Sequence, residues 1–222
     1  MVRTRFFRRR SLRVAVPSLA LCGVLAGVAL FASSTARATA CGSAVTAPGS
    51  CDVTGTLNLS AGSLTMTAPS VFGWTAGLTG LQQYVADVTT AHQSLIVNDA
   101  TGSASGWNVT ASAAQFTSGS DTLPLSAFSL NGSTSSATTG TTPTVGCTGG
   151  DTTCTAAITD VTYPVTDIET SPKKIFNATI TPSPTGLGSN TVSSLGWWLS
   201  IPANAVPGVY TAAVTLAVSS GP

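Results

Sequence analysis

The dominant pattern along this chain is a strict alternation of apolar and polar positions. It is clearest near the C-terminus, where every second residue from Tyr210 to Val218 is apolar. The same period of two runs from Trp107 to Ala113 and from Val53 to Leu59. Alternation of this kind is typical of half-buried antiparallel strands, so each of the three segments is predicted to be a strand.

Six further segments have strand-like composition and are bounded by turn residues, namely 62–67, 94–99, 122–130, 156–165, 174–180 and 192–201. Because no long segment shows the helical period, the chain is predicted to be all-β, an antiparallel β-sandwich of the Ig-like or Greek-key type. A low-complexity Ser/Thr/Gly stretch at 131–155 is predicted to be a long exposed loop, and 181–190 a second loop. Neither stretch is long enough to separate two domains.

The N-terminal segment reads as an export signal. Residues 1–13 are cationic, residues 14–32 are almost entirely apolar, and the segment ends in Ala38-Thr39-Ala40. This order predicts a cleavable signal peptide at 1–40 and a single mature domain at 41–222, secreted and free of the membrane. Two alternatives stay open: an uncleaved membrane anchor, and a lipoprotein attached through Cys41.

The charge distribution excludes one class of function. The 222-residue chain has nine basic and eight acidic residues, and seven of the basic ones lie in the first forty positions. Residues 41–222 therefore keep only Lys173 and Lys174 against eight acids, a net charge of −6. A nucleic-acid binder needs clustered lysine and arginine to neutralise phosphates, so no nucleic-acid partner is expected.

Four cysteines remain after the predicted cleavage: Cys41, Cys51, Cys147 and Cys154. An even number in an exported chain predicts two disulfides. Three pairings are possible, and the short loops favour the local pairs Cys41–Cys51 and Cys147–Cys154. The alternative, a metal site made of thiolates, lacks both C-x-x-C spacing and a nearby histidine. Neither a metal nor another cofactor is expected.

Candidate catalytic groups are sparse. The chain has one histidine, His92, and one glutamate, Glu169, and no G-x-S-x-G nucleophile motif. His92 could in principle belong to a Ser-His-Asp triad, but a lone histidine in this segment is interpreted as an ordinary surface residue. A hydrolase that uses an aspartate pair is the remaining catalytic hypothesis. The sequence favours a protein that is not an enzyme.

Tryptophan is the unusual feature of the composition. The four tryptophans are Trp74, Trp107, Trp197 and Trp198. They can fill the core of a sandwich, where each buries a large area. In a strand that contains both Trp197 and Trp198, however, the two side chains point to opposite faces. One of them, Trp198, is therefore expected to be exposed, where it would contact a sugar or a partner surface.

Two motifs occur in order along the chain. The first contains Asp99, Gly106, Trp107 and Val109; the second contains Tyr210, Val214, Thr215, Leu216, Val218 and Pro222. Together they resemble the two motifs of the WxL-domain cell-wall-binding proteins of Gram-positive bacteria. Two positions depart from that family, since Val109 stands for its leucine and Leu216 for its tryptophan. The second departure removes an aromatic side chain that could contact a ligand.

The resemblance spans about residues 53–222 and is closest to an actinobacterial-type variant. It implies a secreted, non-catalytic surface protein that binds cell-wall peptidoglycan noncovalently. Trp107, Trp197, Trp198 and Tyr210 are then expected to be structural or contact residues. The chain has no LPxTG-type tail, so attachment would depend on binding. The alternative is a structural subunit of a cell-surface assembly, whose edge strands pair with partner proteins.

Overall fold

A computed structural model of the protein describes residues 39–148, 155–181 and 185–222, with side chains described from Cys41 onward, except for Thr148. The predicted signal peptide lies outside this range apart from the backbone of its last two residues, and so does Cys154. The chain divides into two compact units, residues 1–57 and 58–222. Each is described separately below.

The first unit contains a short disulfide-closed loop. Strand β1 (Thr39–Ala40) pairs in parallel with strand β2 (Cys51–Asp52). The Cys41–Cys51 disulfide joins the two ends of the loop, which confirms that predicted pairing. In the second unit, Cys147 is also disulfide-bonded. Its predicted partner, Cys154, lies outside the described residues, so the second pairing stays a prediction.

The second unit is built from strands and one short 3-10 turn, Thr90–His92. Its strands are β3 (Leu64–Thr67), β4 (Gln83–Ala86), β5 (Ser94–Asp99), β6 (Trp107–Ala113), β7 (Thr117–Ser118), β8 (Asp121–Thr122), β9 (Phe128–Asn131), β10 (Thr144–Thr148), β11 (Lys173–Ala178), β12 (Gly188–Ser193), β13 (Gly196–Ile201) and β14 (Val214–Ser220). Within the described ranges, no helix is long and apolar enough to cross a membrane.

Every strand pair in this unit is antiparallel. One sheet has the order β10-β12-β5-β3, a second β11-β6-β14 and a third β4-β13-β9, while β7 and β8 form a small hairpin. The unit is therefore all-β with the antiparallel sheets of a β-sandwich, as the alternating pattern predicted. Its largest fully buried side chains include Trp107, Trp197, Phe128, Phe176, Leu95, Leu130, Ile168 and Ile175.

Two of the alternating segments form the predicted strands. In β6, residues Trp107, Val109 and Ala111 are buried and the residues between them are partly exposed. In β14, half-buried apolar residues alternate with exposed small or polar ones. One face of each strand meets the apolar core and the other meets water, and this is the arrangement that a period of two encodes.

The third alternating segment is not a strand. Val53, Leu57 and Leu59 are 80%, 79% and 85% exposed, and within the described residues no strand includes residues 53–63. Alternation shows that a segment suits a sheet, but a strand also needs a neighbour with free hydrogen-bonding groups. Within the described residues, no neighbouring strand pairs with the alternating segment at 53–60.

Five other predictions need correction. The segment 122–130 is not one strand, since residues 123–127 lie between β8 and β9, and the loop predicted at 181–190 contains the start of β12. The segment 192–201 forms two strands instead of one, because Ser194 adopts a left-handed conformation with φ +65° between β12 and β13. Residues 156–165 form no strand. The stretch 131–155, predicted to be an exposed loop, contains strand β10. Its first part is ordered by buried Asn131, whose amide bonds the carbonyls of Ser136 and Thr139 at 2.8 and 2.7 Å.

Candidate functional site

The first motif is a structural unit. Trp107 is fully buried, packs against Phe176 with ring centroids 5.9 Å apart, and donates from Nε1 to the Gly186 carbonyl at 3.0 Å. Gly106 has φ +71°, and a Cβ there would collide with the Ala178 carbonyl. Only glycine fits that position without strain. These residues fix the entry into β6 and offer no contact surface.

The other two residues of the first motif are also buried. Asp99 lies at the end of β5, and its Oδ1 accepts hydrogen bonds from the Thr101 amide at 3.0 Å and the Thr101 hydroxyl at 2.6 Å. Val109 is fully buried in the middle of β6. Asp99 therefore shapes the loop that joins β5 to β6, and Val109 completes the apolar face of β6.

The second motif lies nearer the surface. Tyr210 is half-buried and donates its hydroxyl to the Val206 carbonyl at 2.9 Å. Val214 and Leu216 are half-buried on β14, and Pro222 is exposed. Tyr210 lines one open cavity, and Val214 and Leu216 line another.

The prediction of an exposed tryptophan in β13 is wrong. Trp197 is fully buried and Trp198 is only 6% exposed. Strand β13 is the central strand of its sheet, between β4 and β9, and both of its faces are covered. Trp197 Nε1 donates to the His92 carbonyl at 2.9 Å, and Trp198 Nε1 donates to the Ser133 carbonyl at 2.9 Å. The residues after β9 cover the face that sequence alternation assigned to solvent.

A groove of about 760 Å³ opens on the second unit. We call it the aromatic groove; its lining residues are Phe72 to Leu78, Phe116, Leu123, Leu199, Ile201 and Ala205 to Ala212. It contains one tryptophan, Trp74, and one tyrosine, Tyr210, and no charged residue. Its rim is apolar and exposed at Leu78, Val206 and Val209. Concave, mostly apolar sites with a few polar groups are typical of ligand binding.

One wall of the aromatic groove is firmly anchored. Trp74 Nε1 donates to the Trp197 carbonyl at 3.0 Å, and the Trp74 ring packs edge-on against Phe116 and Phe128 with centroid distances of 5.7 Å in both pairs. The preceding amide, that of Gly73, donates to Asp87 Oδ2 at 2.9 Å. The segment that carries Trp74 is therefore held in place before any ligand binds.

Asp87, which is fully buried, and His92, which is partly buried, form a pair behind this wall. Asp87 Oδ2 lies 2.6 Å from His92 Nδ1, and Oδ1 accepts the Thr89 amide at 2.9 Å. Burial by itself raises the pKa of Asp87, but the hydrogen bonds from Gly73, Thr89 and His92 outweigh it and hold the pKa below its usual range. The interpretation of His92 as a surface residue is wrong, because its side chain is only 15% exposed.

The Asp87–His92 pair links two segments of the chain, and among the described residues no serine completes a Ser-His-Asp triad with it. In the described part of the chain, no serine hydroxyl hydrogen-bonds His92, and the other partners of Asp87 are the Gly73 and Thr89 amides and the Thr89 side chain. No cluster of three or more histidine, cysteine or acidic residues suited to a metal ion occurs among the residues that were described. What the pair does is connect the Trp74 segment to the 3-10 turn.

Glu169 is a second carboxyl group with a perturbed environment. Its Oε1 accepts the Phe128 amide at 2.6 Å, whereas its Oε2 is buried without a hydrogen-bond partner. Burial raises the pKa of Glu169, and the charge of Asp167 adds to this, so that together they outweigh the backbone hydrogen bonds. The ionised form of Glu169 is therefore disfavoured in the folded state.

The Glu169→Gln variant should keep the acceptor for Phe128 while removing the buried charge. Because the folded pKa of Glu169 lies above its ordinary 4.5, wild-type stability falls as pH rises through that folded pKa, and the variant does not share this loss. The free energy of unfolding, measured from pH 4 to 7, should thus decline for wild type relative to the variant. The exposed Asp160→Asn variant is the control. Wild type that keeps or gains stability relative to the variant as pH rises would contradict this assignment.

Sequence reasoning missed most of the aromatic groove. Trp74 stood out only as a tryptophan, and the segment from Ala205 to Val209 carried no assigned role. One available signal was the turn composition of Pro207 and Gly208, which lie between two valines, Val206 and Val209, just before Tyr210. What brings these residues to the Trp74 segment is tertiary packing, since more than 120 positions separate them in the chain.

Comparison with known proteins leaves the two motifs as the basis of the family resemblance. No protein-family model matches the sequence, and comparison with curated proteins and with solved structures finds no match either. The resemblance to WxL-domain proteins therefore stays a prediction. The functional argument rests on the chemistry of the groove.

Proposed function

We propose that this protein is a secreted, non-catalytic surface protein that binds the peptidoglycan of a Gram-positive cell wall noncovalently, through the aromatic groove. The observation that carries the proposal is an anchored, uncharged groove of about 760 Å³ that presents Trp74 and Tyr210. Sugar rings have apolar faces that pack on aromatic and aliphatic side chains. Their hydroxyl groups would find partners in Thr75 and Thr211 and in the backbone of the rim.

Charge favours a neutral ligand over an anionic wall polymer. No lysine or arginine lines the aromatic groove, and the two lysines of residues 41–222, Lys173 and Lys174, lie on β11. A polyanion would find no cation in the groove and would meet a domain with a net charge of −6. The glycan of peptidoglycan therefore fits the site better than a phosphate-rich secondary polymer.

The Val209→Asp variant should weaken wall binding by about tenfold or more, since a carboxylate at an apolar contact must lose its hydration when the ligand covers it. Val209 is 82% exposed on the rim, so the substitution should leave folding intact. The matched control is Ile158→Asp, which adds the same charge at a residue that is 53% exposed and is not among the groove-lining residues.

The measurement is co-sedimentation of the purified protein with washed sacculi, with and without their secondary polymers. Wild type and Ile158→Asp should pellet with stripped sacculi, and Val209→Asp should remain largely in the supernatant. Equal pelleting of all three proteins would remove the groove from the proposal. If wild type stays in the supernatant with both preparations, wall binding itself fails, and the alternative of a structural subunit in a surface assembly takes its place.

A further inference from the structure

Strand β14 presents a free edge. On its paired side, the Ala213 carbonyl accepts the Ala114 amide at 2.8 Å and the Gly221 amide donates to the Gly106 carbonyl at 2.9 Å. The ladder between these bonds is continuous, so the odd-numbered residues of β14 face β6. The backbone groups of Val214, Leu216 and Val218 therefore point away from β6, and β14 is the last strand of its sheet.

The residues of β14 itself lack the features that normally protect an edge strand. Native sheets guard their edges with lysine, proline, bulges or very short strands. The opposite edge of the same sheet, β11, carries Lys173 and Lys174 and has an irregular register after Lys174. Strand β14 is seven residues long, has no charged residue and no proline, and keeps an unbroken register.

A cleft of about 370 Å³ lies beside this edge. It is lined by Val214 and Leu216 of β14, by Met66 of β3 and by residues that include Ala68 to Phe72 and Trp74; its lining side chains are apolar apart from Ser70. Strand β3 is itself the edge of the four-stranded sheet. A cavity of roughly 150 Å³ already admits a benzene molecule, so this cleft has room for two aliphatic side chains.

The chain also carries a strand-like segment that pairs with no strand among the described residues. Residues 53–60 alternate with a period of two and have no charge, no proline and three exposed aliphatic side chains, Val53, Leu57 and Leu59. Large apolar residues exposed together on one face of a segment usually mark an interaction site. In composition and period this segment matches the strand that the edge of β14 could accept.

We propose that residues 53–60 of one copy add as a strand to the free edge of β14 in a second copy, with Leu57 and Leu59 filling the cleft. Main-chain hydrogen bonds to Val214, Leu216 and Val218 supply affinity, and alternate side chains supply specificity. The donor segment and the acceptor edge are different surfaces, so the contact is heterologous. Repeated contacts build a ring or a linear chain of copies. This self-association is independent of wall binding.

The first test compares two double variants of the donor segment. Leu57→Asp with Leu59→Asp places charges on the side chains that enter the cleft, while Thr56→Asp with Asn58→Asp adds the same charge on the opposite face. Light scattering of the purified protein, without wall material, is recorded over a hundredfold range of concentration. Wild type and the second variant should increase in mass with concentration, and the first variant should remain monomeric.

The second test addresses the acceptor edge. The Val218→Pro variant removes an amide that points away from β6, so it blocks the added strand and leaves the ladder with β6 intact. Mixed with the Leu57→Asp, Leu59→Asp variant, it should give dimers of one copy of each, because only one productive contact remains. Circular dichroism checks that the proline variant is folded.

A synthetic peptide of residues 52–60 provides a test that needs no variant to fold. It should compete for the edge and return the wild-type assembly to monomers, whereas a peptide with aspartate at positions 57 and 59 should not. Wild type that is monomeric at every concentration would overturn the proposal, and so would assembly that survives both the donor substitutions and the competing peptide. Sacculus binding without self-association would leave the proposed function standing and this inference refuted.

Discussion

Replacing Trp107 with alanine should lower the free energy of unfolding by about 3–5 kcal/mol, the range measured for large aromatic residues in a core. Trp107 is fully buried, packs against Phe176, and donates a hydrogen bond to the Gly186 carbonyl. The alanine variant loses the packed ring, leaves a cavity and removes one of the two hydrogen bonds to that carbonyl, since Asn190 supplies the other. Small domains have a total stability of about 5–15 kcal/mol, so this is a large fraction of it.

Denaturant unfolding monitored by circular dichroism measures this effect, because signals from the other three tryptophans do not complicate it. The control is Trp107→Phe, which retains most of the buried area and should cost clearly less. The result also decides between two roles for the residue. A Trp107→Ala variant that is as stable as wild type but no longer binds sacculi would make Trp107 a contact residue, against the structural role assigned here.

Replacing Asp87 with asparagine should lower the free energy of unfolding by about 3 kcal/mol at pH 7, because a buried carboxylate would be exchanged for an amide group among hydrogen-bond donors. Oδ2 accepts from the Gly73 amide at 2.9 Å and lies 2.6 Å from His92 Nδ1. An amide NH2 at that position would face two donors. The Trp74 segment would then lose its attachment to the 3-10 turn.

The pH dependence of this effect follows from the lowered pKa of Asp87. A carboxyl group whose pKa is lower in the folded state adds stability above its unfolded pKa of 3.8 and loses it as pH falls through the folded value. The difference in free energy of unfolding between wild type and Asp87→Asn should therefore have its full size at pH 7 and shrink below pH 4. Asp160→Asn, an exposed site, is the control. An equal gap at pH 7 and pH 3 would show that the charge of Asp87 is not the cause.

The Trp107 and Asp87 substitutions also help to distinguish residues that stabilise the aromatic groove from residues that contact its ligand. Trp107 and Asp87 both act from behind the surface, one through the core and the other through the anchored wall. Substitution of Val209, on the rim of the groove, should weaken binding and change stability little. A protein whose wall binding depends on Val209, and on Trp107 only through folding, would use the rim of the aromatic groove for contact and the first motif for architecture.

The sequence by itself determined the fold class. A period of two predicted the strand at 107–113, which is β6, and the strand at 210–218, of which the part from Val214 onward lies in β14. The predicted strand 94–99 has the bounds of β5. These predictions succeed because the pattern is local: a half-buried strand must alternate wherever it lies in the sheet. The Cys41–Cys51 pairing was local in the same sense, since the two residues are ten positions apart.

Only the tertiary structure decided which surfaces are exposed. Alternation assigned Trp198 to solvent, but residues after β9 cover it, and the position of that cover depends on Asn131 bonding distant carbonyls. Conversely, 53–60 has the pattern of a strand and remains exposed because a strand also needs a partner. Contacts between residues far apart in the chain also assembled the aromatic groove and the Asp87–His92 pair. Whether a residue is buried depends on the neighbours that it acquires on folding, and the local sequence pattern does not specify those neighbours.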